Sequence, residues 1–419
     1  MASTVDSAAW RRQFLLFVTA VSFLGLTSGI FETSFNNFLN DTFHITARAR
    51  GALEFPRELP GFLVAVFAGA LFFLAEVRIA ALAALITSLG LWGLALHGDR
   101  EHYSFMLLSI IIWSAGAHLF MPLQSAIALS LAGGNRAGTL MGRIGSYSTL
   151  AVIGGCGIVW LGMQYLHLNY STIFGFGAVF AVCASLLMLR MQPFALSRRR
   201  RPRFIFRREY SLYYLLCILF GARKQVFITF GPLVLIKIFG QPASTIAKLI
   251  IVASVLGIVF RPALGWMIDN LGPRFVLMAD AVLLVGVCLG YGFGGSLLPI
   301  PQARFLAYGC FVLDMLLFSM EMARSIYLDK IALSREEVAP SLTLGVSIDH
   351  AVSMSVPALG GIVWAFHGYR WVFAGAAGVA LITLAAASLI RVPAGPPAVC
   401  GGGKADLSQA EAALAEELL

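Results

Sequence analysis

Charged residues are scarce in this sequence. Only 12% of its 419 residues are Asp, Glu, Lys or Arg, while 59% are hydrophobic; in a soluble domain about a quarter are charged. A soluble core cannot absorb that apolar surplus, whereas a bilayer can, and helices satisfy their own backbone hydrogen bonds in lipid. The composition therefore excludes an ordinary soluble domain and predicts an all-α polytopic membrane protein.

The sequence also lacks the motifs of common enzymes and metal sites. It has no nucleophile elbow, metal-ligand cluster or phosphate-binding loop. Five of its six cysteines lie in apolar stretches without CxxC or Cys/His spacing, so we interpret them as reduced packing residues. We predict that the protein is not an enzyme and uses no metal and no cofactor. The net charge of +9 does not indicate nucleic acid, because the basic residues flank apolar stretches.

Twelve apolar stretches approach the length of about 20 residues that a membrane-spanning helix needs. Turn-forming clusters separate them, such as Leu298-Pro299-Ile300-Pro301. The predicted spans are 14–39, 51–74, 79–97, 103–130, 143–162, 170–190, 211–238, 244–264, 274–295, 304–328, 342–365 and 370–390.

A polybasic run, Arg198 to Arg208, divides these spans into six and six. Lys and Arg collect on the side of this run and of both termini, while the opposite loops keep few, among them Arg48 and Arg50. The asymmetry predicts cytoplasmic N- and C-termini in the cell inner (plasma) membrane. We predict an N-terminal six-helix bundle (1–190), a basic linker (191–210), a C-terminal six-helix bundle (211–391) and a flexible tail (392–419), acting as a monomer.

The loop between spans eight and nine carries a motif of Gly265, Asp269, Gly272 and Arg274. Gly265 would let a helix approach closely, Asp269 would accept hydrogen bonds from free amides, and Arg274 would supply a countercharge. In a chain of six plus six spans, this loop resembles the signature loop of the major facilitator superfamily. The resemblance covers residues 14–390.

The resemblance implies two six-helix bundles that give alternating access to a midplane site, with the motif acting in gating. The first-half copy of the motif departs from the pattern, because Phe73 stands where the aspartate is expected. Span five has no Gly-Pro pair of the kind that exporters of the family show, which argues against export.

Ionisable side chains inside apolar spans are costly, so they usually face a cavity or a partner. The resemblance implies that spans one, four, seven and ten line the cavity, and all four carry such groups. Arg223 and Lys224 are about 100° apart on a helix, so one is expected to meet solute or Glu32 and the other a neighbouring helix. The predicted substrate-binding residues are Glu32, Asn36, His118, Arg223, Lys224 and Arg324.

Glu321 and Arg324 share a helix face, and the next span returns with Asp349 and His350 at a similar depth. We expect these four to form one buried network, either a proton relay or a structural ion-pair cluster. The predicted proton-coupling residues are Glu321, Asp349, His350 and Asp314.

Glu54, Arg57 and Glu58 lie on one face of span two at i, i+3 and i+4. We interpret them as a self-neutralised structural cluster, because internal pairing lowers the cost of burial. Gating at the outer mouth is the alternative.

Together these features predict a secondary transporter for a small anionic or zwitterionic organic solute, working as a proton-coupled symporter in the lipid bilayer. One alternative is an exporter of amphipathic compounds. Another is a membrane sensor or scaffold that has the fold but does not transport.

Overall fold

The computed structural model describes residues 7–63, 74–98, 100–132, 137–192 and 206–391. Most of the basic run, the tail from residue 392, and Phe73 lie outside this part. The described part is helical: α1 (Ser7–Phe43), α2 (Ala47–Phe62), α3 (Glu76–His97), α4 (Tyr103–Ala132), α5 (Ala137–Tyr165), α6 (Tyr170–Leu189), α7 (Ser211–Lys237), α8 (243–271), α9 (273–297), α10 (Ile300–Ile331), α11 (Arg335–His367) and α12 (Tyr369–Ser388).

Ten helical stretches of the described part are long and apolar enough to cross a membrane. Two features account for the difference from twelve predicted spans. The α8–α9 pair forms one stretch, Ala243–Leu297, whose backbone breaks at Gly272 with φ 84°. Helix α2 is described over 16 residues and is rich in charge, and the second half of its predicted span lies outside the described part.

Large apolar side chains cover the outside of the helices. Leu89, Val259 and Phe366 expose 55%, 74% and 72% of their surface, which suits contact with lipid tails. Such a continuous apolar exterior would be insoluble in water. Together with the apolar helices, it makes this a multi-pass membrane protein.

The first six helices pack mainly on one another, and so do the last six. Helix α1 packs against α5 and α6, while α7 packs against α11 and α12. The two sets meet where α2 lies on α11 and α5 lies on α8. At Gly51 the α2 backbone is so close to the carbonyl oxygen of Pro357 that an added Cβ would overlap it. The predicted bundle boundaries at 190 and 211 stay a prediction.

Helix α10 changes its winding halfway along. It is α-helical over Ile300–Leu317, forms a 3-10 turn at Phe318–Met320, and is α-helical again over Glu321–Ile331. The turn lies beside the central space of the molecule, because Phe318 faces the cavities described next.

Candidate functional site

Two adjoining cavities lie between the first and last six helices. Their volumes are about 510 and 670 Å³, within the usual range for small-molecule sites. They share five lining residues, so they form one space with two lobes: Glu32, Val152, Ile228, Phe318 and Glu321. The smaller lobe is rich in ionisable groups and the larger one in apolar side chains.

Glu32 stands out because its carboxylate has no ion-pair or hydrogen-bond partner among the described residues. It lies on α1, is exposed to the cavity, and lines both lobes. Asn36, one turn further on, lines the larger lobe, and its Oδ1 accepts a hydrogen bond from Arg50 Nε at 2.9 Å. Glu32 is thus a carboxylate available to a ligand.

Four residues of α2 form what we call the α2 charge cluster: Arg50, Glu54, Arg57 and Glu58. Arg57 Nη2 lies 2.6 Å from both Glu54 and Glu58, and Arg50 pairs with the other Glu54 oxygen. The internal pairing predicted from the i, i+3 and i+4 spacing is confirmed. The placement of Arg50 in an outer loop is wrong: its side chain is 1% exposed inside α2, because Glu54 and Asn36 satisfy its charge and its donors.

Two side chains from the last six helices reach this cluster. Gln225 Nε2 on α7 donates to Glu54 Oε2 at 2.5 Å, and His350 Nδ1 on α11 lies 3.0 Å from Glu58 Oε2. His118 on α4 stands beside them, with its ring centroid 5.1 Å from that of His350. The α2 charge cluster therefore makes polar contacts between the two halves as well as ion pairs within one helix.

Lys224 and Arg223 on α7 have different surroundings, as their 100° separation predicted. Lys224 lines the smaller lobe and binds Asp349 of α11, with 2.6 Å between Nζ and Oδ2. Arg223 is 3% exposed and turns to the neighbouring helices, with its Nη2 3.1 Å from Asp314 Oδ1 and 3.9 Å from Asp280 Oδ1. Arg223 itself thus lies outside the lining of both lobes, although its partner Asp314 lines the larger one.

Glu321 and Arg324 pair within α10, with 3.0 Å between Glu321 Oε1 and Arg324 Nη2. The Arg324 guanidinium also lies over the Phe220 ring, 4.2 Å from its centroid. The Glu321 side chain is 41% exposed, and Glu321 lines both lobes. The single network expected with Asp349 and His350 is wrong. Those two bind Lys224 and Glu58 instead.

The loop motif forms the sharp turn that its sequence indicated. Gly272 takes a positive φ, which an L side chain adopts only with strain, and it separates α8 from α9. The expected close helix contact at Gly265 is wrong, because an added Cβ would meet no atom within 4 Å. Asp269 and Arg274 are exposed and have no hydrogen bond or ion pair within the described residues. Their gating role stays a prediction, as do the other predicted site roles.

Two residues at the site, Glu58 and Gln225, are not among those predicted from the sequence. Both are buried polar residues in apolar spans, and burial cost was the signal that could have found them. In the sequence, Arg57 already offers Glu58 a partner, so the spacing of Glu54, Arg57 and Glu58 indicates a self-contained cluster. Its second oxygen is the one that faces His350.

No protein-family model matches the sequence, and no curated protein does. Solved structures of similar fold include the nucleoside transporter NupG, with a TM-score of 0.72 and 16% identity; the match covers 90% of this chain and 98% of that one. A D-xylose-proton symporter matches with a TM-score of 0.64 and 15% identity, over 91% of this chain and 99% of that one. An auto-inhibited POT family peptide transporter is also similar, with a TM-score of 0.72 and 12% identity, over 92% of this chain and 99% of that one. Each of these three neighbours is named as a transporter or symporter. Over nine-tenths of its length, the chain has the major facilitator fold that its loop motif predicted.

Proposed function

We propose that this protein is a secondary active transporter that moves a small zwitterionic organic solute across the inner membrane by alternating access. The observation that carries the proposal is the free Glu32 carboxylate, which lines both lobes of the cavity between the two halves. A carboxylate without a partner in such a space favours a ligand with a cationic group, since a charge within the membrane-spanning part of a protein is costly unless it is paired or faces a cavity.

The sequence left open whether the solute is anionic or zwitterionic, and the charge of the smaller lobe favours a zwitterion. Its lining holds four carboxylates and two cations, Arg57 and Lys224, both of them already paired. Such a lobe disfavours a purely anionic solute. A zwitterion fits better, with its ammonium group at Glu32 and its carboxylate directed toward the outer N–H groups of Arg57 or Lys224.

Contacts between the halves support alternating access. At the end where α1 finishes, Asn37 Nδ2 donates to the Gln241 carbonyl at 2.9 Å, and Lys248 lies over the Trp160 ring at 5.4 Å. Near the middle, Gln225 and His350 reach the α2 charge cluster. With the termini cytoplasmic, these contacts close the outer side, and this conformation faces inward.

We assign proton coupling to Glu321. It lines both lobes, is partly exposed, and has a single charged partner, Arg324. A carboxylate whose exposure changes as a cavity opens and closes can take up a proton on one side and release it on the other. Asp314, Asp349 and His350 each already bind a neighbour in this conformation.

The apolar wall of the larger lobe favours a second candidate, transport of amphipathic compounds. Phe227, Tyr291 and Phe311 line it together with Ile246 and Ile250. A zwitterion with an aromatic or aliphatic body would use both lobes, whereas an amphipathic cation would use the wall and Glu32 alone.

The test is a thermal-shift screen of the purified full-length protein with zwitterionic, anionic, cationic and neutral metabolites. A ligand that binds only the native state raises its apparent stability. We expect zwitterions with an apolar body to stabilise the wild type, and Glu32→Gln to lose that effect. Glu209→Gln, which changes an exposed residue just before α7, is the control. Stabilisation by simple anions, retained in Glu32→Gln, would overturn the proposal.

A further inference from the structure

We propose that Glu58, His118 and His350 form a binding site for a divalent transition-metal ion, with Zn²⁺ as the best match. Each residue offers one ligand atom, and these atoms all lie within 4.8 Å of one another. Two imidazoles and one carboxylate are a frequent set of protein ligands for Zn²⁺. The three residues come from α2, α4 and α11, so no sequence spacing could have indicated the site, and the sequence had predicted no metal.

The imidazole of His118 is oriented as a metal ligand would be. Its Nδ1 lies 2.9 Å from the backbone carbonyl oxygen of Ser114. The Ser114 hydroxyl, 3.0 Å from the same nitrogen, donates to the Arg57 carbonyl and so can only accept from the ring. With two accepting oxygens at Nδ1, we assign the hydrogen to Nδ1, which leaves the lone pair on Nε2. Nε2 in turn lies 3.9 Å from Glu58 Oε2. A second nitrogen that donates to a carbonyl is the usual outer contact of a metal-bound histidine.

Glu58 has one oxygen engaged and one directed at the histidines. Oε1 binds Arg57 Nη2 at 2.6 Å, while Oε2 lies 3.0 Å from His350 Nδ1. Tetrahedral Zn²⁺ bonds of about 2.0–2.1 Å separate neighbouring ligand atoms by roughly 3.3 Å. The two distances from Oε2, 3.0 and 3.9 Å, bracket that value, and no two of the three ligand atoms are more than 4.8 Å apart, so the two rings would have to approach each other by at most about 1.5 Å to bind an ion.

The site has room and access. An added Cβ at residue 61 would lie 2.6 Å from His118 Cδ2 and 2.9 Å from His350 Cε1, so Gly61 leaves the space that the two rings occupy. All three ligand residues line the smaller lobe. Water or a solute atom in that lobe can supply the fourth ligand, as at zinc sites that keep an open position.

The surrounding charge also permits a cation. The α2 charge cluster is neutral as a whole, with two arginines and two glutamates. Glu32 adds an unpaired carboxylate to the same lobe. A metal ion here would join α2 and α4 of the first half to α11 of the second. It would therefore hold the halves in the present arrangement and inhibit any transport that requires them to separate.

The experiment is isothermal titration of tag-free, metal-stripped full-length protein with Zn²⁺, followed by Co²⁺ absorption spectroscopy. We expect one ion per chain and the intense visible bands of tetrahedral Co²⁺. His118→Gln and His350→Gln should each weaken Zn²⁺ binding by at least about 100-fold, since loss of an outer-shell partner alone costs about 10- to 100-fold.

The matched control is the double variant His97→Gln/His102→Gln. These two rings lie 5.7 Å apart at the α3–α4 connection and could bind metal on their own. The control should keep the wild-type affinity and the Co²⁺ bands. The proposal is overturned if the wild type does not bind Zn²⁺, or if binding survives in the folded His118 and His350 variants; loss of binding in the control would then place the ion at the α3–α4 connection. Neither readout involves transport, so this result is independent of the proposed function.

Discussion

Gln225 Nε2 donates a 2.5 Å hydrogen bond to Glu54 Oε2 and so joins α7 to α2 across the two halves of the molecule. Both side chains are completely buried. Hydrogen bonds to charged groups contribute about 1.5–3 kcal/mol, more than those between neutral groups. Although Arg57 also binds that oxygen, the amide from α7 is the contact that crosses between the halves.

Gln225→Ala should lower the free energy of unfolding by about 1.5–3 kcal/mol, because it removes this charge-assisted contact. Thermal unfolding in detergent measures the change. Gln124→Ala is the control, since Gln124 lines the smaller lobe and has no hydrogen bond in the described part of the chain. Equal shifts in the two variants would show that the contact with Glu54 adds nothing.

Glu321→Gln should bind solute and support solute exchange, yet fail to accumulate solute against its gradient when a pH difference is imposed. The amide keeps the shape of the side chain but cannot carry the proton. Uptake and counterflow in proteoliposomes separate the two activities, with Glu209→Gln as the control. Accumulation at the wild-type level would make the Glu321–Arg324 pair purely structural.

Lys224→Met should destabilise the protein by about 3–5 kcal/mol, because it leaves the buried Asp349 carboxylate without its cation. The double variant Lys224→Met/Asp349→Asn should recover much of that loss, since it removes both charges. Thermal unfolding of the wild type, both single variants and the double variant gives a double-mutant cycle for the Lys224–Asp349 pair. Lys330→Met, an exposed lysine at the end of α10, should have little effect. Additive losses would contradict the pairing.

Gly51→Ala should cost about 1–3 kcal/mol of stability, because the new methyl group would overlap the Pro357 carbonyl where α2 meets α11. Gly142→Ala is the matched control, since a Cβ there meets nothing within 4 Å. In a helix this second change should gain up to about 1 kcal/mol. The melting temperature should therefore fall in Gly51→Ala and rise in Gly142→Ala. Similar shifts in the two variants would argue against tight packing at Gly51.

Glu337, just before the apolar part of α11, should make stability fall in acid. Hydrogen bonds from Tyr210, at 2.6 Å, and from Arg207 hold the pKa of its carboxylate below its usual value. The stabilisation is complete above the ordinary glutamate pKa, about 4.3, and is lost as the pH falls through that value toward the folded pKa. The melting-temperature difference between wild type and Glu337→Gln should thus be constant near neutrality and shrink below about pH 4.5. A difference that stays constant down to pH 3 would contradict this assignment.

The spans, and the ion pairs within one helix, could be predicted from sequence, because both depend on local periodicity. The pairing of Arg57 with Glu54 and that of Arg324 with Glu321, both at i, i+3, follow from this periodicity. Pairs between helices could not be predicted, since periodicity gives the face of a residue but not the helix opposite. The partner of His350 is Glu58 on α2, which no spacing in the chain indicates.

The 3-10 turn at Phe318–Met320 has a consequence for the phase of α10. A 3-10 helix turns about 120° per residue and an α-helix about 100°, so three residues rotate everything beyond them by roughly 60° relative to the first part of the helix. A single helical wheel drawn through the whole of α10 therefore misassigns the face of Glu321 and Arg324 toward the other helices. If the turn became α-helical, the Glu321 and Arg324 side chains would both rotate about the helix axis by roughly 60° relative to the first part of α10.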